Sequence, residues 1–229
     1  MKLNHEINPF IIALQETWLR CYKNVQLADH LREFVWIFKN VDNQVHQEDQ
    51  ITSRNMSYHG TALGISKKLA ESMREIPIQS KNCAVAELKM GVRKLLVASI
   101  YMPTMGKDVE FDETIDSIAS MLDDYASDST DILLMGDWNI DVGSSRRRIA
   151  SWMNFLADYS LTDNCTGKPT HIHKATKTES ELDRVLTRGI AVTTEIVEED
   201  LNKSSHKPLK IEMTVEKAEE GIQVKGEEI

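Results

Sequence analysis

One segment holds much of the structural information in this chain: residues 131 to 139, Asp131-Ile132-Leu133-Leu134-Met135-Gly136-Asp137-Trp138-Asn139. The apolar run predicts a buried strand, and the glycine that follows it lets backbone or ligand approach closely. Side chains alternate between the faces of a strand, so Asp137 and Asn139 point the same way if the extended geometry persists. An acid beside an amide suits phosphate chemistry, but such residues also commonly end a strand and begin a turn. This segment alone leaves both interpretations open.

The composition indicates one globular domain with an acidic surface. The chain has 229 residues, of which 41% are hydrophobic, enough to bury a sizeable core. Its net charge of −9 argues against general attraction to a polyanion, so a nucleic-acid substrate would require a local basic patch. An acidic balance does suit a site for a divalent cation, because hard cations prefer carboxylate oxygens. We expect a domain over residues 1 to 215 and a charged tail over residues 216 to 229.

The cysteines and the apolar runs bear on location. Cys21, Cys83 and Cys165 are odd in number and far apart, which fits neither a disulfide framework nor a zinc site with paired ligands. No run approaches the roughly 18 apolar residues of a membrane span, and the polar start lacks a signal-peptide core. We therefore expect a soluble, intracellular monomer with no membrane partner.

Short apolar runs predict strands, and two amphipathic stretches predict helices. The predicted strands are residues 10–14, 61–65, 83–88, 95–101, 132–135, 182–186, 192–197 and 209–215. The strands on either side of Gly91 are expected to form a hairpin. Helical spacing gives the first helix an apolar face of Ile115, Ile118, Ala119, Leu122 and Tyr125, and the second a face of Ile149, Trp152, Met153, Leu156 and Tyr159. The pattern predicts an α/β fold in which two mixed or antiparallel sheets pack together with helices outside.

Three arginines open the second predicted helix. Arg146, Arg147 and Arg148 follow Ser144 and Ser145, either of which could cap the helix. Cations are unfavourable at a helix N-terminus. The run is therefore either a solvated basic helix start or a patch that faces phosphate.

Polar residues at the ends of several predicted strands carry a family resemblance. The segments are Ala13-Leu14-Gln15-Glu16-Thr17-Trp18-Leu19, Gly60-Thr61-Ala62, Ser99-Ile100-Tyr101-Met102-Pro103, Gly136-Asp137-Trp138-Asn139, Pro169-Thr170-His171, Leu182-Asp183-Arg184-Val185-Leu186 and Ser205-His206-Lys207-Pro208. Each is weak alone, but together, in this order, they are specific. The sequence resembles the endonuclease/exonuclease/phosphatase superfamily, and within it the apurinic-type endonuclease domains of non-LTR (LINE-type) retrotransposons.

The resemblance implies a fold and a set of roles. The fold is a four-layered α/β sandwich, with two packed mixed β-sheets flanked by helices that converge on one metal-dependent phosphoesterase site. Glu16 would hold Mg²⁺ or Mn²⁺. Asp137 would orient or deprotonate the attacking water, and Asn139 would donate to a phosphoryl oxygen. Tyr101 would hydrogen-bond the phosphate. Outside the family context, Glu16 could instead cap a helix, and Tyr101 could be a strand aromatic with one wet end.

Histidines carry the rest of the implied chemistry. His206 would contact the scissile phosphate, and Asp183 would fix its tautomer and keep it cationic, because a carboxylate raises the pKa of an imidazole. Without the family, a histidine before a strand would be a surface residue. His171 and His173 are two residues apart and could share a strand face, but no third ligand is evident nearby. The sequence therefore predicts no zinc site there.

Two features depart from the family pattern. Only eight residues precede Pro9, so the opening strand, which in relatives carries an asparagine beside the metal-binding glutamate, is expected to be missing. In the serine-aspartate-histidine signature before the last strand, Ser205 stands in place of the aspartate. The loss of a carboxylate is expected to weaken divalent binding.

The sequence therefore predicts a metal-dependent endonuclease that nicks DNA, with impaired activity, located in the nucleus if its substrate is chromosomal. One alternative is a phosphatase or phosphodiesterase that acts on a small phosphorylated substrate. Another is a catalytically inactive relative that binds nucleic acid or protein.

Overall fold

The computed structural model describes residues 9–17, 27–39, 60–141, 143–197 and 204–214. The expected loss of the opening strand and the predicted tail concern residues 1–8 and 216–229, which lie outside the described residues. The strands are β1 Ile11–Leu14, β2 Phe34–Lys39, β3 Thr61–Ser66, β4 Met73–Ile76, β5 Cys83–Met90, β6 Arg93–Tyr101, β7 Thr130–Asp137, β8 Thr162–Asp163, β9 His171–Ile172, β10 Glu179–Ser180, β11 Asp183–Arg188, β12 Ala191–Ile196 and β13 Leu209–Thr214. Two α-helices lie wholly within the described residues, α1 Asp108–Tyr125 and α2 Arg146–Asp158, and Ala70–Ser72 form a 3₁₀ helix.

Two main sheets form the centre of the molecule. The larger has the strand order β4-β5-β6-β7-β11-β8, and the smaller has the order β1-β3-β2. Among the described strands every pairing is antiparallel except β6 with β7, which run parallel and are joined by α1, so the larger sheet is mixed. The expected hairpin is present, with β5 and β6 paired around Gly91 at a φ of 66°. Two short pairs, β9 with β10 and β12 with β13, complete the described sheets.

Strand alternation gives the larger sheet two apolar faces. Ala84, Ala86 and Leu88 face the smaller sheet and pack with Leu63 and Ile65 in one core. The alternate residues of the larger sheet face the two helices in a second core, which includes Val85, Leu96, Ala98, Ile132 and Leu134. A sheet buried on both faces explains why its central strands are apolar runs without a polar alternation. The two sheets and the helical layer confirm the predicted fold class.

Both helices pack on the outer face of the larger sheet, and α2 is rotated from its predicted orientation. In α1 the buried side chains include Ile115, Ile118 and Leu122, as expected. In α2 the buried residues are Arg148, Trp152 and Phe155, whereas Ile149 and Met153, predicted to face the core, are 38% and 57% exposed. The cause is Arg148, whose guanidinium is fully buried and satisfied by hydrogen bonds, so the helix face that contains it turns inward.

Among the described residues, no helix is both long enough and apolar enough to span a bilayer.

Candidate active site

Three of the predicted site residues lie side by side at one end of the larger sheet. Tyr101 ends β6, Asp137 ends β7 and Asp183 begins β11. Tyr101 is the register partner of Asp137 across the parallel pair, and Asp183 is its partner across the antiparallel pair. Register partners place their side chains on the same face of a sheet. The topology therefore brings together residues that are separated by up to 82 positions along the chain.

Backbone contacts fix the end of β7. A Cβ at Gly136 would overlap the backbone carbonyl oxygen of Ile100 on β6, so only glycine permits this approach. Trp138, two residues after Gly136, is fully buried and packs against Trp152 of α2 with ring centroids 4.8 Å apart. Its backbone N–H donates to the Leu182 carbonyl at 2.9 Å. Asp137 and Asn139 thus flank an anchored residue.

The residues after β7 form a turn and also lie at the candidate site, so the two interpretations of this segment are compatible. Asn139 adopts a φ of 49°, so the strand does not continue beyond Asp137. Its backbone N–H donates to Oδ1 of Asp137 at 3.0 Å, which is an Asx-type turn. Its side-chain amide donates to the Met102 carbonyl at 2.8 Å. The observed contacts of Asn139 therefore orient Asp137 and the loop after β6.

Asp137 is a buried carboxyl group in an anionic setting. It is 4% exposed, and burial is the main cause that raises its pKa from 3.8 to about 7. The neighbouring Asp183 carboxylate raises the pKa further, and Glu16 adds a smaller effect of the same sign. The His206 cation and the Asn139 backbone N–H oppose these effects. A carboxyl group that titrates near neutrality can exchange protons with a substrate or water at physiological pH.

His206 lies between two carboxylates, in the loop before β13. Its Nδ1 is 2.9 Å from Oδ2 of Asp183, and its Nε2 is 4.0 Å from Oδ2 of Asp137. Burial lowers the pKa of the imidazole, but the Asp183 hydrogen bond and the charges of Asp183, Asp137 and Glu16 outweigh it and raise the pKa to about 9. His206 is therefore a cation at neutral pH. The predicted pairing of Asp183 with His206 is present.

Glu16 reaches the same end of the molecule from the smaller sheet. It follows β1, is exposed, and has a φ of 49°. The hydroxyl of Tyr101 donates to its Oε1 at 2.7 Å. The Ser99 hydroxyl also donates to the Leu14 carbonyl at 3.1 Å, and together these contacts tie the two sheets. Tyr101 is 2% exposed, and burial followed by the Glu16 contact raises its pKa, so it remains a neutral donor.

The donor chemistry of this site fits a divalent cation. Its carboxyl groups are the exposed Glu16 and the neighbouring Asp137 and Asp183, and the charge of Asp183 raises the pKa of Asp137, so negative charge is in excess. Across the described part of the chain, no group of three or more His, Cys, Asp or Glu is arranged as a metal cage. Magnesium commonly binds through one or two carboxylates and keeps several waters, so Glu16 can serve as its protein ligand. Ser205, which stands in place of the family's aspartate, has no carboxylate to offer a cation, and its backbone carbonyl accepts from the Ile172 N–H at 2.9 Å.

Two further residues at the site were not predicted. Thr170 is fully buried, and its hydroxyl oxygen accepts from the backbone N–H groups of Leu182 and Asp183, each at 3.1 Å. Its carbonyl accepts from Lys207 at 2.7 Å. Thr170 thereby positions the chain on both sides of the Asp183–His206 pair. His171 packs its ring on His206, with centroids 4.5 Å apart. Both residues belong to the Pro169-Thr170-His171 segment of the family resemblance. That segment is the sequence signal that could have identified them.

Arg148 stabilises two loops at the site through hydrogen bonds to their backbone carbonyls. Its Nη1 donates to the carbonyls of Pro103 and Asn139 at 3.0 and 3.1 Å, and its Nε donates to Asp108 at 3.2 Å. The Ser145 hydroxyl caps α2 by accepting from the Arg148 backbone N–H. Neither interpretation of the arginine run holds for Arg148, which is neither solvated nor open to a phosphate. It joins the loops that follow β6 and β7.

Comparison with known proteins identifies the fold family. A family model described as Endonuclease/Exonuclease/phosphatase family matches residues 1–206. The chain belongs to this family. None of the curated proteins matches the sequence.

Several solved structures share the fold at low sequence identity. An endonuclease/exonuclease/phosphatase family protein from Leptotrichia buccalis superposes with a TM-score of 0.62 at 17% identity, over 90% of this chain and 87% of that one. The 3′ phosphatase NExo from Neisseria, bound to a product DNA hairpin, gives 0.64 at 16% identity, over 92% and 91%. A mannosyl-6-phosphatase from Bacteroides thetaiotaomicron gives 0.58 at 15% identity, over 90% and 85%.

Proposed function

We propose that this protein is a Mg²⁺- or Mn²⁺-dependent phosphodiesterase that nicks DNA, of the type found in non-LTR retrotransposons. The observation that carries the proposal is the His206 imidazolium held between Asp183 and Asp137, with Nδ1 on one carboxylate and Nε2 facing the other. Such a cation beside an acid that titrates near neutrality suits hydrolysis of a phosphate ester. Family membership supports phosphoester hydrolysis.

The roles follow from the charge states. Above its pKa of about 7, Asp137 can accept a proton from the attacking water. His206 stays protonated up to about pH 9 and would stabilise negative charge on a phosphoryl oxygen. Tyr101 keeps its proton and holds Glu16 in place. Asn139 has a second amide proton available besides the one it gives to Met102. A divalent cation held by Glu16 would supply further neutralisation of charge at the phosphate and the leaving oxygen.

A lysine-rich hairpin of β9 and β10 beside the site favours a polyanionic substrate. Residues 166 to 178, which include β9, contain Lys168, Lys174, Lys177 and two histidines, in a chain whose net charge is −9. The acids Glu179 and Glu181 lie next to this segment. Residues 173 to 178 are all exposed. The hairpin is joined to the catalytic loop by the bridge between His171 and His206. In the proposed function, its lysines would supply the local positive charge that a nucleic-acid substrate requires. The fold relative captured with a product DNA hairpin is consistent with this substrate class.

A plasmid assay tests the proposal. Wild-type protein with Mg²⁺ is expected to convert supercoiled DNA to the open-circular form. Asp137→Asn and His206→Gln are expected to reduce the rate by about a hundredfold or more, since each removes a group proposed to act on the reacting atoms. Asp116→Asn, which alters an exposed acid on α1, serves as the matched control and is expected to nick normally. Equal nicking by all four proteins would show that the activity does not come from this site.

A small phosphorylated substrate is the second candidate, because the net charge of −9 favours a compact anion over a long one. The fold relative described as a mannosyl-6-phosphatase is consistent with it. Turnover of a sugar phosphate or a simple phosphodiester, without any DNA cleavage, would select this alternative. For the DNA-nicking function we propose an intracellular site of action, in the nucleus where the substrate is chromosomal.

A further inference from the structure

His171 contacts the catalytic loop in a way that no role assigned so far requires. It belongs to β9 and forms an antiparallel bridge with His206. The Ile172 N–H donates to the Ser205 carbonyl at 2.9 Å, and the Lys207 N–H donates to the Thr170 carbonyl at 2.7 Å. These two bonds flank the bridge on either side, which makes His171 and His206 a directly opposed pair without mutual hydrogen bonds. Side chains approach most closely at such pairs.

The two rings are in contact as a result. Their centroids are 4.5 Å apart, and their planes are inclined by 49°. The same imidazole of His206 is tied at Nδ1 to Asp183 and directs Nε2 toward Asp137. The Asp183 bond fixes one edge of the ring but leaves it free to rotate about that contact. A second ring packed against it restricts this rotation.

The His171 ring suits a packing role better than a binding role. Its Nδ1 is buried and has no hydrogen-bond partner among the described residues. Burial, followed by the charge of His206, lowers the pKa of His171, so the neutral ring is favoured and the pair carries one positive charge. A neutral ring can lie against an imidazolium without the repulsion that a second cation would bring.

We propose that His171 is a positioning residue, which packs against His206 and holds the Nε2 edge of that imidazole toward Asp137 and the scissile phosphate. This inference rests on the proposed function for its kinetic consequence, but the contact itself can be tested without turnover. Small displacements of a catalytic group reduce rates by up to about a hundredfold, so the loss of the His171 ring is expected to act on kcat.

Two variants separate ring packing from other roles of His171. His171→Ala removes the ring and is expected to lower kcat for plasmid nicking by about ten- to hundredfold with KM changed less than about twofold. His171→Phe keeps a ring that can pack on His206 and is expected to restore most of kcat. Asp116→Asn, which alters an exposed acid on α1 away from the hairpin, serves as the control and is expected to leave kcat and KM unchanged. An increase in KM at constant kcat for His171→Ala would overturn the proposal in favour of a substrate contact.

A spectroscopic measurement covers the case in which the wild type does not nick DNA. The proton on Nδ1 of His206, bound to Asp183, is expected to give a low-field resonance in the proton NMR spectrum. The resonance should persist in His171→Phe and be lost to solvent exchange in His171→Ala, with the fold retained by circular dichroism. An unchanged resonance in His171→Ala would refute the positioning role, whereas absent nicking with the expected NMR result would refute only the proposed function.

Discussion

Replacement of Asp183 by asparagine removes the negative charge that touches the catalytic imidazole. Asparagine keeps an oxygen of the same size at the position now 2.9 Å from Nδ1 of His206, so the change isolates charge from shape. Burial by itself lowers the pKa of His206, and the Asp183 contact is the largest effect that raises it. Without that charge, the pKa of His206 should fall from about 9 toward its ordinary value of 6.5. The pKa of Asp137 should fall as well, because Asp183 is the main neighbouring charge that raises it.

The magnitude follows from the fraction of protonated His206. At pH 8 an imidazole of pKa about 9 is roughly 90% protonated, whereas one of pKa 6.5 is about 3% protonated. The Asp183→Asn variant should therefore lose about thirtyfold in rate at pH 8 through this group. At pH 6 the corresponding loss should be less than about twofold. Both limbs of the pH–rate profile are expected to move toward acid.

The assay is kcat/KM for DNA nicking between pH 5.5 and pH 9.5 at constant Mg²⁺. The wild type should show an acid limb near pH 7 from Asp137 and a basic limb near pH 9 from His206. Asp116→Asn, an exposed change on α1, should leave the profile in place. A uniformly slower Asp183→Asn enzyme with both limbs unmoved would refute the proposed electrostatic role of Asp183.

Three more perturbations test other parts of the account. The raised pKa of His206 contributes stability that is present below pH 6.5 and lost as the pH rises through 9. Unfolding by urea without divalent metal should therefore show a decline of up to about 3 kcal/mol over that window, and the decline between pH 7.5 and 9 should be much smaller in His206→Gln. Arg148→Met should lower the free energy of unfolding by about 3–5 kcal/mol, because it leaves the buried carbonyls of Pro103 and Asn139 without their donor. A loss below about 1 kcal/mol would contradict the proposed role of Arg148 in joining the two loops. Mg²⁺ at about a hundred times its Kd should stabilise the wild type by about 3 kcal/mol in thermal melts, but not Glu16→Gln, and an equal shift in both would place the metal elsewhere.

The central strands could be predicted because both of their faces are buried. β5, β6 and β7 are continuous apolar runs, and the packing on either side of the larger sheet requires that composition. β4 escaped prediction because its four residues include the exposed Arg74 and Glu75, so no apolar run marks it. β2 was also missed, although Phe34, Trp36 and Phe38 alternate along it, which is a period-2 signal.

The orientation of α2 could not be predicted from apolar spacing. Ile149, Trp152 and Met153 have helical spacing. A prediction from apolar spacing, however, assumes that an arginine lies at the surface. Arg148 is buried because backbone carbonyls of the loops after β6 and β7 converge on its guanidinium. Such convergence depends on tertiary contacts between residues about 45 positions apart, which no local pattern encodes.

The six predicted site residues meet in the structure, but the contacts between them could not be predicted from composition or periodicity. Motif order placed Asp137, Asp183 and His206 in one site. The approach of Tyr101 to Glu16, and the hydroxyl of Thr170 that holds the Asp183 backbone, depend on the register between strands and on loops that pack across them. Their roles in catalysis stay predictions.

The most direct test of the account is the nicking of supercoiled plasmid by one preparation of the wild-type protein, measured in EDTA and again after Mg²⁺ is added in excess. The account predicts no conversion in EDTA, conversion to open circles once Mg²⁺ is restored, and none with Asp137→Asn under either condition. A folded wild-type protein that leaves the plasmid supercoiled in excess Mg²⁺ would contradict it.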